Sequence, residues 1–398
     1  MEDSNNRKNI SILFYTMIVV MLGFGMIIPI MPFYVKSFGA SGRALGALMA
    51  IYGVLQFIFA PFWGSLSDRI GRKPVLMIGV LGNAIAQVLF GLSTELWMLF
   101  AARSLAGMLS VATLPTAMAY IGDSTSQKDR SRGMGMVGAA MGIGMVLGPG
   151  LGGLLAKRSL SIPFFLASAL SVVALVLIFA ILPEPKKSAP ESAARSRGPQ
   201  IKKLWQALKG PLGILFFLSF LLTFGLTNFE GIFGLYAAER YAYTPGQVGL
   251  LLTVIGVISA FMQGMMTGPA THRFGEVTVI RASLAGSALG FILMAQARNF
   301  VEVLLSMSFF IISNAMLNPS VAALISRRTQ EGQGITMGLN NSFLSLGRII
   351  GPLWAGFAFD VNINAPYMTG ALIMMGGLIL SLVKLHAVEP ALAVQTEE

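Results

Sequence analysis

The sequence has no cysteine, two histidines and few charges: only 11% of its 398 residues are Asp, Glu, Lys or Arg. Without cysteine there is no disulfide framework, no thiolate metal site and no cysteine nucleophile. Two histidines leave almost nothing for a metal cluster or a general base. No G-x-x-x-x-G-K-S/T run is present to cradle a nucleotide's phosphates, so the sequence offers no sign of ATP drive. A soluble domain carries about 25% charged residues. The shortage here excludes a soluble globular enzyme, a disordered chain and a coiled coil. What is present is apolar: 55% of the residues are hydrophobic and mean hydropathy is +0.73. Only a bilayer solvates so much apolar surface. About 12 spans of about 20 residues would use roughly 240 residues, which the composition can supply.

Apolar runs of helical length divide the chain into twelve segments. The first six are residues 10–35, 45–66, 74–92, 96–121, 133–156 and 162–182. The second six are residues 211–238, 247–270, 277–295, 301–325, 334–359 and 366–385. The first run is long and lacks a small-residue cleavage pattern, so it reads as a true span rather than a signal peptide. Twelve spans put both termini on one side. Lys and Arg divide about 20 to about 6 between the two sides, which makes the terminal side cytoplasmic. The net charge of +11 is then a record of topology, not the footprint of a nucleic acid. The Pro-, Ser- and Lys/Arg-rich stretch Pro183–Gly210 reads as a linker, with a surface helix near Ile201–Leu208.

The two halves resemble each other at an offset of about 204 residues. Gly64, Arg69 and Gly71 match Gly268, Arg273 and Gly275; Pro115 matches Pro319; Gly148-Pro149 matches Gly351-Pro352 within one residue. Parallel repeats of this kind build secondary transporters, whose binding cavity lies near the midplane where two bundles meet.

Three features carry chemistry. The segment GSLSDRIGRKPVL, Gly64–Leu76, has glycines at 64 and 71 for tight turns. Its Asp68 falls at helix ends, where a helix N-terminus or an Arg can hold it. Arg69, Arg72 and Lys73 tie the loop to the cytoplasmic face. A solvated turn with topological charges is the simpler reading. The segment GIGMVLGPGLGG holds Gly144, Gly148, Pro149, Gly152 and Gly153. Its small residues let helices approach closely, and Pro149 is expected to kink or loosen its helix. Plain close packing is the alternative. Arg103, in RSLAG, lies about 8 residues into the fourth span. An intramembrane Arg is costly and usually functional; an Arg that snorkels to the outer interface is the other reading.

Taken together these segments resemble the major facilitator superfamily. The first resembles its signature between spans two and three, the second its fifth-span antiporter motif, and Arg103 its fourth-span arginine. GFGMIIPIMPFY, LTFGLTNFEGIFGLYAAERYAYTP and MGLNNSFLSLGRIIGPLWAGFAFDVNINAP resemble, over nearly the whole chain, the NorA/Bmr-type multidrug exporters of Gram-positive bacteria. The resemblance implies an all-α membrane protein of 12 transmembrane helices in two pseudo-symmetric six-helix bundles, residues 1–182 and 211–398, with a cytoplasmic linker at 183–210. It implies a drug:proton antiporter of the bacterial cell membrane, not an enzyme, linked to antibiotic resistance. The proton gradient is its energy source and it needs no cofactor. Its partners are small hydrophobic substrates, often cationic, protons and the bilayer, with no nucleic acid. A monomer is expected, since one chain holds both bundles.

The same resemblance distributes roles. Gly64, Asp68, Arg69, Gly71, Arg72 and Lys73 form the conformational motif, with Asp68 stabilising the outward-facing state. Gly144, Gly148, Pro149, Gly152 and Gly153 form the antiporter motif. Glu230 and Arg103 take part in proton coupling. Met21, Ile28, Tyr52, Gln56, Leu114, Glu230, Ile311, Asn341 and Arg348 line the substrate cavity.

Glu230 suits both its roles. Removal from water disfavours a carboxyl's charged form, so it can take a proton near neutral pH. Ionised, it attracts a cation; protonated, it releases one. A Glu held permanently by an Arg is the bland alternative. The chain departs from those exporters twice. Four positions before Pro319 they carry an acid; here stands Ala315, flanked by Asn314 and, further on, Asn318. Arg348 stands where they have an amide. Both changes make the cavity more positive, so weaker preference for strongly cationic compounds is expected, with acceptance of neutral, zwitterionic or anionic ones. Other functions remain open at this point: export of an endogenous metabolite or lipid-like molecule, solute uptake, which the antiporter motif argues against, and a non-transporting membrane sensor or scaffold, which has no need of a two-fold repeat.

Overall fold

The computed structural model describes residues 2–124, 127–185, 201–329 and 332–385. Residues 186–200 of the expected linker, with Lys186, Lys187, Arg195 and Arg197, lie outside the described residues. The first half runs α1 (Glu2–Ile27), α2 (Met31–Ser37), α3 (Gly42–Ile70), α4 (Arg72–Gly91), α5 (Leu96–Leu109), α6 (Thr113–Ser124), α7 (Gln127–Leu155) and α8 (Ile162–Ile181). Next come α9 (Ile201–Lys209), α10 (Gly213–Arg240), α11 (Pro245–Phe261), α12 (Thr267–Phe274) and α13 (Glu276–Gln296). The chain closes with α14 (Phe300–Ala315), α15 (Leu317–Arg328), α16 (Gln333–Val361) and α17 (Ala365–Lys384). Among the described residues 12 helical stretches are long and apolar enough to cross a membrane. They match the twelve expected runs, with ends shifted by a few residues. The helix expected in the linker is α9.

Helix breaks follow proline chemistry. Proline lacks an N–H and crowds the carbonyl four residues before it. The fourth span breaks into α5, a 3₁₀ turn at Ser110–Ala112 and α6, just ahead of Pro115. The tenth breaks at Met316, just ahead of Pro319, at the same point of the repeat. The eighth carries a π turn, Met262–Met266, before Pro269. The first ends its regular helix at Ile27, before Pro29. Pro149 behaves differently: α7 runs through it as one helix, as α16 does through Pro352.

The chain forms two compact units. One holds Met1–Ala40, Ile51–Pro199 and Ala242–Thr253; the other holds Ser41–Ala50, Gln200–Tyr241 and Val254–Glu398. This differs from a single cut at the linker, and glycine explains both exceptions. In the second unit the start of α3 lies on α16: a Cβ added to Gly46 would stand 2.3 Å from the Pro352 carbonyl oxygen. The Asp360 carboxylate there accepts the N–H groups of Gly42 (2.7 Å) and Arg43 (3.1 Å). In the first unit the start of α11 lies on α7: a Cβ on Gly249 would stand 2.4 Å from the Pro149 carbonyl oxygen.

The long seam of the first unit joins α1 to α7, where the antiporter-motif glycines lie. Added Cβ atoms at Gly144, Gly148 and Gly152 would fall 2.6 Å from Met21 Cβ, 2.7 Å from Gly25 Cα and 2.3 Å from the Met26 carbonyl oxygen. The helices touch backbone to backbone, and Leu13, Met17, Leu76, Tyr120 and Ile178 close a core beside them. The second unit repeats the seam between α10 and α16. Gly347 and Gly351 lie against Phe220 and Phe224 carbonyl oxygens, and the Thr227 hydroxyl donates to the Gly347 carbonyl at 3.1 Å. Gly148→Ala is expected to destabilise the protein by about 1–3 kcal/mol through overpacking. Gly138→Ala, on the same helix with nothing within 4 Å of the new Cβ, is expected to be silent. Melting curves in detergent compare the two, and equal melting would contradict the seam.

Candidate functional site

The candidate residues fall in three groups, two in the first unit and one in the second. In the first, α3 ends and α4 begins around Gly71, whose φ of 109° lies in a region that L side chains rarely adopt. A Cβ at Gly71 would also stand 2.6 Å from Glu184 Oε1. Glu184 holds the start of α4 through both oxygens, accepting from the Arg72 N–H (2.6 Å) and the Lys73 N–H (3.0 Å). This carboxylate answers the open N–H groups and the positive end of the helix. Tyr120 donates to the Pro183 carbonyl at 2.6 Å, which fixes the residue before Glu184.

Arg72 is the hub. Its Nε donates to Asp123 at 2.7 Å, and its Nη1 donates to Ser67 Oγ at 2.7 Å and to Asp68 at 2.5 Å. Asp68 is therefore held by an Arg on the next helix, not by solvent alone. Asp123 and Glu184 were not singled out by sequence reasoning. The repeat offset carries a signal for one of them. Arg72 and Asp123 shift by 204 onto Glu276 and Arg327, which form an ion pair at 2.9 Å. The bond recurs with its signs reversed. Gly275, the counterpart of Gly71, also has positive φ, 76°.

Arg103 is only 5% exposed, so it does not snorkel to an interface. Its guanidinium lies 4.5 Å from the centre of the Tyr52 ring and 5.8 Å from that of Phe24. Cation–π attraction of this kind strengthens away from water. Tyr52 thus belongs to the Arg103 cluster, and Gln56 lies one turn further along α3 on the same side. Met21 and Leu114 both pack against the first unit's core and are partly buried. Ile28 lies just past the end of α1.

In the second unit Glu230 is half-buried on α10, about 15 Å from the helix's Arg240 end. Arg348 on α16 is exposed and follows Gly347, whose carbonyl accepts from Thr227, about one turn before Glu230 on α10. Asn341 lies two turns before Arg348 on the same face of α16 and is also exposed. Ile311, at 5% exposure, is buried, as are Asn314 and Ala315. The arrangement puts a carboxylate and a guanidinium on the two helices of the α10–α16 seam, where each can meet a charged group on a guest.

The sequence profile of the Major Facilitator Superfamily matches residues 13–229 and 215–398. Multidrug resistance protein 2 of Bacillus subtilis (strain 168) is 33% identical over 384 residues, 95% of this chain and 96% of that protein. Quinolone resistance protein NorA of Staphylococcus aureus (strain COL) is 30% identical over 379 residues, 95% of this chain and 97% of that protein. Among solved structures, a bacterial homolog of the human lysosomal transporter Spinster superposes with a TM-score of 0.76 at 13% identity, covering 96% of this chain and 95% of that one. This last likeness speaks for the fold.

The reversed ion pair generates a test. Arg72→Glu sets like charges against Asp68 and Asp123 and is expected to cost on the order of 1–3 kcal/mol. Adding Asp123→Arg copies the order of Glu276 and Arg327, and is expected to restore at least half of the lost melting temperature. A double variant no more stable than Arg72→Glu alone would refute the pairing.

Proposed function

The chain belongs to the Major Facilitator Superfamily, and on that premise we propose that this multi-pass membrane protein exports hydrophobic drugs and related compounds in exchange for protons. Relatives bearing the names of multidrug and quinolone resistance proteins across 95% of the chain support the reading. The distribution of Lys and Arg supports cytoplasmic termini in a bacterial cell membrane. The chain works as a monomer, draws its energy from the proton gradient and needs no cofactor.

The observation that carries the reading is Glu230, a half-buried carboxylate at mid-helix on the seam whose other helix carries Arg348. Empty and ionised, Glu230 leans on Arg348. A substrate with a basic group competes for Glu230; a proton arriving at Glu230 dismisses it. Protonation also releases Arg348, which is then free for an anionic group. One carboxylate and one guanidinium, with Ala315 and Asn314 where a second acid would serve cations, favour neutral, zwitterionic or anionic guests over strongly cationic ones. Arg103, fixed over Tyr52, supplies a positive charge in the other cluster and takes part in coupling. The Asp68–Arg72–Asp123 network biases the conformational equilibrium by which access alternates.

Everted vesicles energised by a pH gradient test the coupling. Accumulation of a fluorescent substrate is expected to collapse when a protonophore is added; survival would rule out proton drive. Glu230→Gln is expected to lower gradient-driven accumulation at least about tenfold, and to weaken binding of substrates that carry a basic group while sparing neutral ones. Arg348→Asn is expected to shift preference towards cationic dyes by about tenfold. An unchanged charge preference in competition assays would remove Arg348 from the cavity's selectivity.

A further inference from the structure

Helices α4 and α8 pack together along most of their length but part where α4 begins and α8 stops. The gap is a groove of about 420 Å³. Pro74, Met77, Ile78 and Leu81 wall it on α4, and Leu175 and Phe179 wall it on α8. Their spacing of three and four residues keeps one face of each helix on the groove. From Lys73 to Leu81 α4 rises about 12 Å, long enough for the upper part of an acyl chain. Phe179 and Leu81 are 68% and 45% exposed. Both lie on membrane-length helices, so what faces them is bilayer.

The end of the groove is polar and unbalanced in charge. The Lys73 ammonium donates to the Phe179 carbonyl at 2.8 Å and lies 5.8 Å from the centre of the Phe179 ring. It is held over the mouth of the groove with donors to spare, since an ammonium has three. Glu184, the other ionisable group at this end, has both oxygens engaged by the Arg72 and Lys73 N–H groups. Its charge serves the α4 N-terminus, while among the described residues the charge of Lys73 meets a carbonyl and a ring.

We infer that this groove binds an anionic glycerophospholipid, with an acyl chain between α4 and α8 and the headgroup phosphate on Lys73. The apolar walls give a free phosphate no purchase. A zwitterionic lipid brings an ammonium, and the carboxylate that lines the groove, Glu184, is already engaged by two N–H groups. Lys73 is the second residue of a membrane-length helix, where a basic side chain is expected at headgroup depth, so chain and headgroup each meet matching chemistry. The lipid bridges the start of α4 and the end of α8, the two segments that Glu184 already joins.

Native mass spectrometry of the full chain in detergent, incubated with phosphatidylglycerol or phosphatidylcholine of identical chains, tests this. The parent protein is expected to retain phosphatidylglycerol about fivefold better, the size expected of one Lys at an anionic headgroup. Lys73→Gln is expected to erase that preference and Lys73→Arg to keep it. Leu81→Trp, which fills the groove, is expected to lower retention of both lipids. Equal retention of the two lipids by the parent protein, an undiminished preference in Lys73→Gln, or full retention in Leu81→Trp would each overturn the inference. The comparison of lipids on the parent protein does not depend on any variant folding.

Discussion

In a bilayer, two apolar helices gain little by exchanging lipid for each other, because lipid tails are as apolar as leucine. Association must come from closeness, and closeness needs an absence of side chains. The contact of Gly148 with Gly25 is the clearest case. It brings α1 and α7 together on their backbones and so sets how the first unit's other helices gather round. Gly347 and Gly351 do the same for α10 and α16. The functional residues hang on these seams: Met21 lies at the α1–α7 seam, and Glu230 and Arg348 sit on the two helices of the second. The glycine motif packs α7 on α1 backbone to backbone, which is the close-packing reading and is compatible with a functional one.

Charge is spent sparingly on this frame. At the helix ends, Arg72, Asp68, Asp123 and Glu184 satisfy one another and the start of α4. Inside the spans Arg103 is given company by two aromatic rings. An aromatic partner leaves Arg103 its charge and fixes its place. Glu230 and Arg348 instead sit on the two helices of one seam, α10 and α16.

Much of this was legible in the sequence for reasons of bulk physics. The bilayer demands unbroken apolar length, so the twelve spans show plainly. Pro115 and Pro319 act locally, and the breaks fall just ahead of them. What local reading could not supply were partners far along the chain. Arg72 meets Asp123 and Glu184, 51 and 112 residues away, and no periodicity links them. Counting from a span end left Arg103 either within the membrane or at its outer interface, and the rings of Tyr52 and Phe24 that hold it come from other helices. The grouping of the start of α3 with α16 was equally hidden, since it depends on Gly46 and Asp360, which carry no motif.

The reversed ion pair has a consequence for how the chain sorts itself. Two halves so alike invite mistaken docking during synthesis, with the start of one half's third span meeting the end of the other half's fourth. Here such an error sets Arg72 against Arg327, or Glu276 against Asp123. Each native pair attracts and each crossed pair repels. By inverting the signs of one bond, the duplicated sequence marks which half is which, and a nascent bundle can reject its sibling's helix.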